Sequence, residues 1–233
     1  MKLEKVTDKE AGPARRWYDD ACGTALAMEL VGERWSLLIV RELMFGPRRF
    51  GELRAGLPGI SANVLTQRLA GLETARILVR RTLLSPANVQ VYELTPWGYE
   101  SERAIQELGR WAVRSPRHDP TLPLSAASLM MSFRTMFAAD RAGAFAARLG
   151  FVLGPHDMFR VTVAEGALAI VRADPGDTDV VLTSDPMSVA SIVYGGRPIA
   201  SAEADGALTL TGERAVAERF TTLFPLPPKL AGA

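Results

Sequence analysis

Ser61-Ala-Asn-Val-Leu-Thr-Gln-Arg-Leu-Ala-Gly-Leu72 is the stretch on which the reading of this chain turns. Leu65, Leu69 and Leu72 recur at helical spacing, which predicts one apolar face buried against a core. Ser61 stands where an N-cap hydroxyl accepts from the orphan N–H groups of a first turn, so a helix is expected from there to about Ala75. At about 100° per residue, Asn63, Thr66 and Gln67 then point away from the leucines, and Arg68 lies near the edge of their stripe. Such a helix fits the major groove of DNA. Asn and Gln can pair bidentately with adenine, Thr can bond a base or touch a thymine methyl, and an Arg or the helix N-terminus can hold phosphate. Any polar-faced helix offers these residue types, so the flanking sequence has to decide.

On the N-terminal side, Ala21–Val31 and Leu37–Phe45 read as helices interrupted by Gly32 and stopped by Gly46-Pro47. Phe50–Ala55 is a short helix ended by the turn Gly56-Leu-Pro-Gly59. On the C-terminal side, Ile77–Leu84 and Val89–Thr95 are rich in β-formers and joined at Ser85-Pro-Ala-Asn88 into a hairpin. Pro96 opens a last helix to about Val113. Four helices, a hairpin and a helix make a winged helix. The charge agrees: Arg34–Arg81 holds nine arginines against Glu42, Glu52 and Glu73, although the whole chain carries only +1. Arg48, Arg49 and Arg54 precede the Ser61 helix where backbone phosphates would lie, and Arg80 and Arg81 sit at the base of the wing.

Five blocks in order carry a closer resemblance. They are Cys22…Leu26…Val31-Gly-Glu-Arg-Trp-Ser-Leu-Leu-Ile-Val-Arg-Glu-Leu43, Gly46-Pro-Arg-Arg-Phe-Gly-Glu-Leu-Arg54, Leu57-Pro-Gly-Ile-Ser61, Asn63-Val-Leu-Thr-Gln-Arg-Leu69 and Tyr92-Glu-Leu-Thr-Pro-Trp-Gly98. Residues from about Cys22 to Arg110 resemble the HxlR-type winged helix-turn-helix family. The resemblance implies a homodimeric transcription factor on double-stranded DNA, with Ser61, Asn63, Thr66, Gln67 and Arg68 as the reader. Two departures stand out: Thr74-Ala75-Arg76 replaces the usual glycine after the reading helix, so that turn must be built differently, and the wing tip Ser85–Asn88 has no positive charge. Trp17, Tyr18, Leu108 and Trp111 on the flanking helices are candidates for the dimer seam, or equally for ordinary core.

Arg114-Ser-Pro-Arg-His-Asp-Pro-Thr-Leu-Pro123, with three prolines in eight residues, reads as a linker. The expected organisation is a reader over 14–113, a linker over 114–124 and a second unit over 125–233. Beyond the linker, Ala126–Ala139 is an amphipathic helix; strands follow at Phe159–Val163, Ala167–Arg172 and Val180–Thr183. Asp185-Pro186 opens a helix through Val193, Asp205-Gly206 closes a hairpin onto Leu208–Leu210, and Glu213–Phe224 is a final helix, an α+β pattern. Phe159-Arg-Val-Thr-Val163, Ala169-Ile-Val171, Asp185-Pro-Met-Ser-Val-Ala-Ser-Ile-Val-Tyr-Gly195 and Gly206-Ala-Leu-Thr-Leu-Thr-Gly212 carry a looser resemblance to the sterol carrier protein 2 (SCP2-like) domain. The resemblance implies an apolar small molecule or lipid between helices and sheet. Met130, Met131, Phe133, Met136, Phe137, Met158, Phe159 and Met187 would line that space; a closed hydrophobic core is the other reading.

Function classes narrow from there. Apolar runs such as Leu37–Val40 end far short of a membrane span, no secretory h-region follows Met1–Glu10, and the lone Cys22 agrees with a reducing compartment, so a cytoplasmic protein is expected. His118 and His156 lack metal-ligand spacing, and neither a G-x-S-x-G elbow nor a P-loop is present, so neither an enzyme nor a cofactor or metal is expected. Cys22 is a candidate redox residue by resemblance to relatives that sense oxidants there; its neighbours Asp19 and Asp20 would raise its pKa if close, and a small helix residue packed at an interface is the alternative. The leading expectation is a homodimeric DNA-binding regulator controlled by an apolar ligand. A lipid-binding carrier whose helical half makes protein contacts is the second.

Overall fold

The computed structural model describes residues 18–83 and 88–230. Trp17, the expected start of the reader at residue 14, the wing-tip residues 85–87 and the last three residues of the chain lie outside them.

The first half runs α1 (Gly23–Val31), α2 (Ser36–Leu43), α3 (Phe50–Gly56), α4 (Ala62–Thr74), β1 (Leu78–Leu83), β2 (Val89–Leu94), α5 (Pro96–Glu100) and α6 (Glu102–Ala112). β1 and β2 pair antiparallel with Leu78 opposite Leu94, and a bridge between Arg48 and Tyr92 adds a third short edge, giving a winged helix. Ile39, Val40 and Leu43 of α2 meet Leu65, Leu69 and Leu72 of α4 in a core from which water is excluded. The helix expected from Pro96 to Val113 is in fact two. Ser101 breaks it, because both its N–H and its hydroxyl bond to the Gly98 carbonyl, at 3.3 and 2.7 Å, in place of the regular helical ladder. Gly98 itself lies so close to the Ile77 carbonyl that any Cβ would collide with backbone.

The turn after α4 is a Schellman closure: Ile77 N–H bonds Leu72 O and Arg76 N–H bonds Glu73 O, each at 2.9 Å. Arg76 occupies its left-handed position at φ 58°. The departure from glycine therefore changes the residue and not the turn, which costs roughly 1 kcal/mol of backbone strain.

The second half contains α7 (Ala126–Met136), α8 (Ala139–Ala142), β3 (Ala147–Val152), β4 (Met158–Ala164), β5 (Ala167–Arg172), β6 (Val180–Ser184), α9 (Pro186–Val193), α10 (Ile199–Ala204), β7 (Leu208–Gly212) and α11 (Arg214–Thr221). Its five-stranded sheet has the order β5-β4-β3-β6-β7; β3 and β6 are parallel, and the other neighbours antiparallel. The sequence did not predict the central strand β3. Leu149, Gly150 and Phe151 are all buried, so no alternation marks it, and Gly150 resembles a breaker. It is glycine because Pro175 folds across the sheet, 2.5 Å from where a Cβ would stand. The hairpin expected at Asp205-Gly206 is not formed: helix α10 precedes the turn, and β7 pairs with β6. α7 and α11 also stop earlier than expected, at Met136 and Thr221.

The aromatic centre of this half is Phe133, whose ring lies 4.7 Å from Phe224, 5.5 Å from Phe220 and 5.8 Å from Phe151. Each such pair contributes about 0.5–1.5 kcal/mol beyond its buried area. The core does not stop at the junction. α7 packs on α2 and α6, and Phe45 meets Phe159 edge-to-face at 5.6 Å, so both halves share one apolar interior. Residues 114–123 pass through turns on this shared body, where Lys229 donates to the carbonyls of Val113 (2.9 Å) and Ser115 (3.3 Å).

Candidate nucleic-acid interface

Ser61 caps α4 as its position requires, its hydroxyl accepting from the Val64 N–H at 3.2 Å. Leu65, Leu69 and Leu72 anchor the back of the helix, and Asn63, Thr66 and Gln67 are exposed on its front. Thr66 returns its own hydroxyl proton to the Ala62 carbonyl at 2.9 Å, leaving its methyl and an oxygen lone pair outward. Arg49, at the N-terminus of α3, and Arg54, in its last turn, are both exposed. Arg80 is exposed on β1; Arg81 is exposed but pairs with Glu93 across the hairpin at 3.1 Å. The arrangement is a polar, amide-bearing helix face on α4 and exposed guanidinium groups on the neighbouring elements of the chain, α3 and β1.

Two of the expected arginines are engaged elsewhere. Arg68 pairs with Glu33 at 2.7 Å and donates to the Arg34 carbonyl, so it ties α4 to the α1–α2 turn. Arg48 requires a correction. Its side chain is 6% exposed, and it donates to Asp157 at 2.6 Å and to the His156 carbonyl at 3.2 Å. A phosphate could reach it only by displacing the second half of the molecule, so it is a junction residue and not a backbone contact. Glu42, also buried, accepts from Arg41 at 2.8 Å and from the Ser125 hydroxyl at 2.7 Å. On α7, Arg134 reaches both Glu102 oxygens at 2.9 Å, lies over the Phe45 ring at 4.5 Å and donates to the Ile170 carbonyl at 2.6 Å. Nothing in the sequence pattern marked the pairings of Arg48 with Asp157, Glu42 with Ser125 and Arg134 with Glu102, because each joins residues far apart in the chain.

Cys22 is exposed at the N-terminus of α1. Its thiol is held below the usual range, first by hydrogen bonding to the Thr24 N–H, then by the Thr24 hydroxyl and the Ala25 N–H. The upward push expected from Asp19 and Asp20 is not what governs it; Asp20 instead accepts from the Cys22 backbone N–H at 2.9 Å.

Of the eight residues expected around an apolar ligand, Met130, Met131, Phe133, Met136 and Phe159 are buried in one hydrophobic core, and Phe137 packs against it. Met130, Phe133 and Phe159 are fully buried, and both phenylalanines sit in ring clusters. Phe137, Met158 and Met187 are partly buried, and the Phe137 ring lies 6.1 Å from that of Phe224. Met131 and Met136, on α7, also line a groove of about 400 Å³ between α7 and the helices α2 and α6 of the reader. Leu38 and Leu108, on the other wall, were not among the expected ligand residues; their signal is exposure, at 40% and 48%, which a sequence does not display. Among the described residues, no helix is long and apolar enough to cross a membrane, and no cluster of His, Cys, Asp and Glu could hold a metal ion.

A capped helix with a leucine back and an amide front, set before a β-hairpin and behind an arginine-bearing helix, defines a winged helix-turn-helix regulator fold in the first half. The model of the HxlR-like helix-turn-helix family matches residues 30–119. The transcriptional regulator YodB of Bacillus subtilis is 38% identical over 86 residues, 37% of this chain and 77% of YodB. The uncharacterized regulator Rv3095 of Mycobacterium tuberculosis is 41% identical over 98 residues, 42% of this chain and 60% of its own length. The solved structure of reduced YodB from B. subtilis is 36% identical and covers 40% of this chain and 92% of that one, with a TM-score of 0.37. The chain belongs to the HxlR-like helix-turn-helix family.

Proposed function

We propose that the protein is a homodimeric, DNA-binding transcriptional regulator whose operator affinity responds to an apolar small molecule held through its second half. The single observation that supports DNA reading is the division of α4: three leucines buried behind, Asn63, Thr66 and Gln67 exposed in front. Asn63 and Gln67 would pair with base edges, while Arg49, Arg54 and Arg80 would neutralise phosphates and set the register. Arg68 would contribute through the helix terminus it braces and not as a free charge.

Two such fronts one helical turn apart would read symmetry-related half-sites. Homodimerisation is supported by the apolar side chains that one chain leaves in water on its flanking helices, including Leu26 and Met28 of α1 and Trp111 of α6. The helical layer over a five-stranded sheet supports an SCP2-like reading of the second half over about residues 125–233. The shared interior and the Arg48–Asp157 pair give ligand-induced strain a route to the reader. Binding to sequences selected from random DNA tests the reading. Affinity falling steeply between 50 and 200 mM salt, as release of several phosphate counterions requires, supports it; selection that enriches no sequence contradicts it.

A further inference from the structure

The groove between α2, α6 and α7 has a chemical character of its own. Leu37, Leu38, Ile105, Leu108, Met131 and Met136 make its walls, and its volume of about 400 Å³ lies within the ~300–1,000 Å³ of small-molecule sites. Among the described residues, the titratable groups lining it are the guanidinium of Arg41 and the imidazole of His118, with no Asp or Glu. Arg41 gives Nε and Nη2 to Glu42, at 3.1 and 2.8 Å, and its Nη1 makes no hydrogen bond among the described residues. His118 lies 3.2 Å from the Lys229 ammonium, so a second positive charge stands behind that rim. The row Ser128, Ser132 and Thr135 on α7 adds hydroxyls along the floor.

We propose that this groove binds a small amphipathic carboxylic acid, its apolar body between Leu38, Leu108, Met131 and Met136 and its carboxylate at Arg41. Arg41, whose charge Glu42 already shares, offers its remaining Nη1 to an anionic head. The Lys229 ammonium adds positive charge behind His118, whose pKa burial and that ammonium hold below its usual value, while thioethers adapt to varied apolar bodies. The assignment rests on the reading of the chain as ligand-responsive, and it moves the site from the interior of the second half to its junction with the reader. α2 and α6 belong to the reader and α7 to the second half, so an occupant touches both at once.

Gly109 provides the test. It lies inside α6 on the groove, and a Cβ there meets nothing nearer than the Thr135 methyl at 3.9 Å. Gly109→Leu is therefore expected to extend into the groove while removing a helix-interior glycine, and its melting temperature checks that the fold is retained. Calorimetric titration of the full chain with decanoate, compared with decan-1-ol, reads binding without DNA. The wild type is expected to bind decanoate saturably, at one equivalent per chain, at least about tenfold more tightly than decan-1-ol. G109L should weaken decanoate at least about tenfold with undiminished melting temperature, and R41Q should erase the preference for the acid over the alcohol. Absence of saturable decanoate binding, equal affinity for the alcohol, or unchanged affinity in G109L overturns the proposal. Because no DNA is present, failure of operator recognition would count against the regulator reading alone.

Discussion

Arg48 and Asp157, 109 residues apart in the chain, form a 2.6 Å ion pair across the junction between the winged helix and the second half. Arg172 shares the same carboxylate oxygen at 2.6 Å, and its guanidinium stacks on the Phe159 ring at 4.5 Å. One carboxylate thus serves two arginines. Burial, followed by repulsion from Arg48, holds the Arg172 pKa below its usual value, with Asp157 opposing both effects.

Removing either member should loosen the junction. Arg48→Met leaves Asp157 its second partner and is expected to cost about 1–3 kcal/mol in denaturant unfolding. Asp157→Ala removes the carboxylate from two neighbouring guanidinium groups, leaving both with the His156 carbonyl and Arg48 also with Glu52 at 3.8 Å. It is expected to cost more, about 3–5 kcal/mol. In DNA binding, R48M should leave the salt dependence at its wild-type slope, since the side chain contacts no phosphate; a slope lowered by about one unit would return Arg48 to the DNA interface.

The arginine in the left-handed position after α4 makes an opposite prediction. Arg76→Gly relieves the strain at φ 58° and preserves the two closing hydrogen bonds. It should raise stability by up to about 1 kcal/mol, the relief being partly offset by the greater freedom of glycine in the unfolded chain. Thermal unfolding checks the sign: a lower melting temperature would show that the Arg76 side chain contributes more than its backbone costs.

Asp185 caps α9, its Oδ1 accepting from the N–H groups of Met187 at 2.9 Å and Ser188 at 3.0 Å, and its Oδ2 from the Ser188 hydroxyl at 2.6 Å. Partial burial pushes its pKa up, but the hydrogen bonds from Ser188 and Met187 overcome that and hold it below the usual carboxylate value. A depressed folded pKa contributes stability above the unfolded pKa and loses it as the pH falls through the folded one. Asp185→Ala should therefore cost about 1 kcal/mol near neutrality. The difference from wild type should shrink once the pH drops through the acid range below about 4, as unfolding curves at stepped pH would show; a constant difference would separate the cap from its charge.

The winged helix was legible because its signals are local. Ser61, the leucine spacing of α4, Gly46-Pro47 and Pro96 each fix a boundary through their own backbone chemistry, and the observed elements fall within a few residues of those boundaries. In the second half the strands expected at Phe159–Val163, Ala167–Arg172 and Val180–Thr183 and the helix through Val193 stand as β4, β5, β6 and α9, whereas β3, α8 and α10 were not legible. β3 carries neither alternation nor turn signals, because a central strand buried on both faces looks like any apolar run, and α10 is six residues long. Among the site residues, Asn63 and Gln67 were legible as a face, whereas Arg48 was not. Its positive charge suggested phosphate, and only the tertiary approach of Asp157 shows what that charge serves. The groove at Leu38 and Leu108 was equally hidden, since periodicity can place a leucine on a face without saying whether another helix covers it.

The central claim is that the front of α4 reads base edges. The most direct measurement is the ratio of affinities for the selected operator and for unrelated duplex, at one salt concentration, in wild type and in Gln67→Ala and Asn63→Ala. Both side chains are exposed, so folding should be untouched, and loss of a bidentate base contact should reduce that ratio by about 10- to 100-fold. A ratio unchanged in both variants would mean that α4 does not read the sequence.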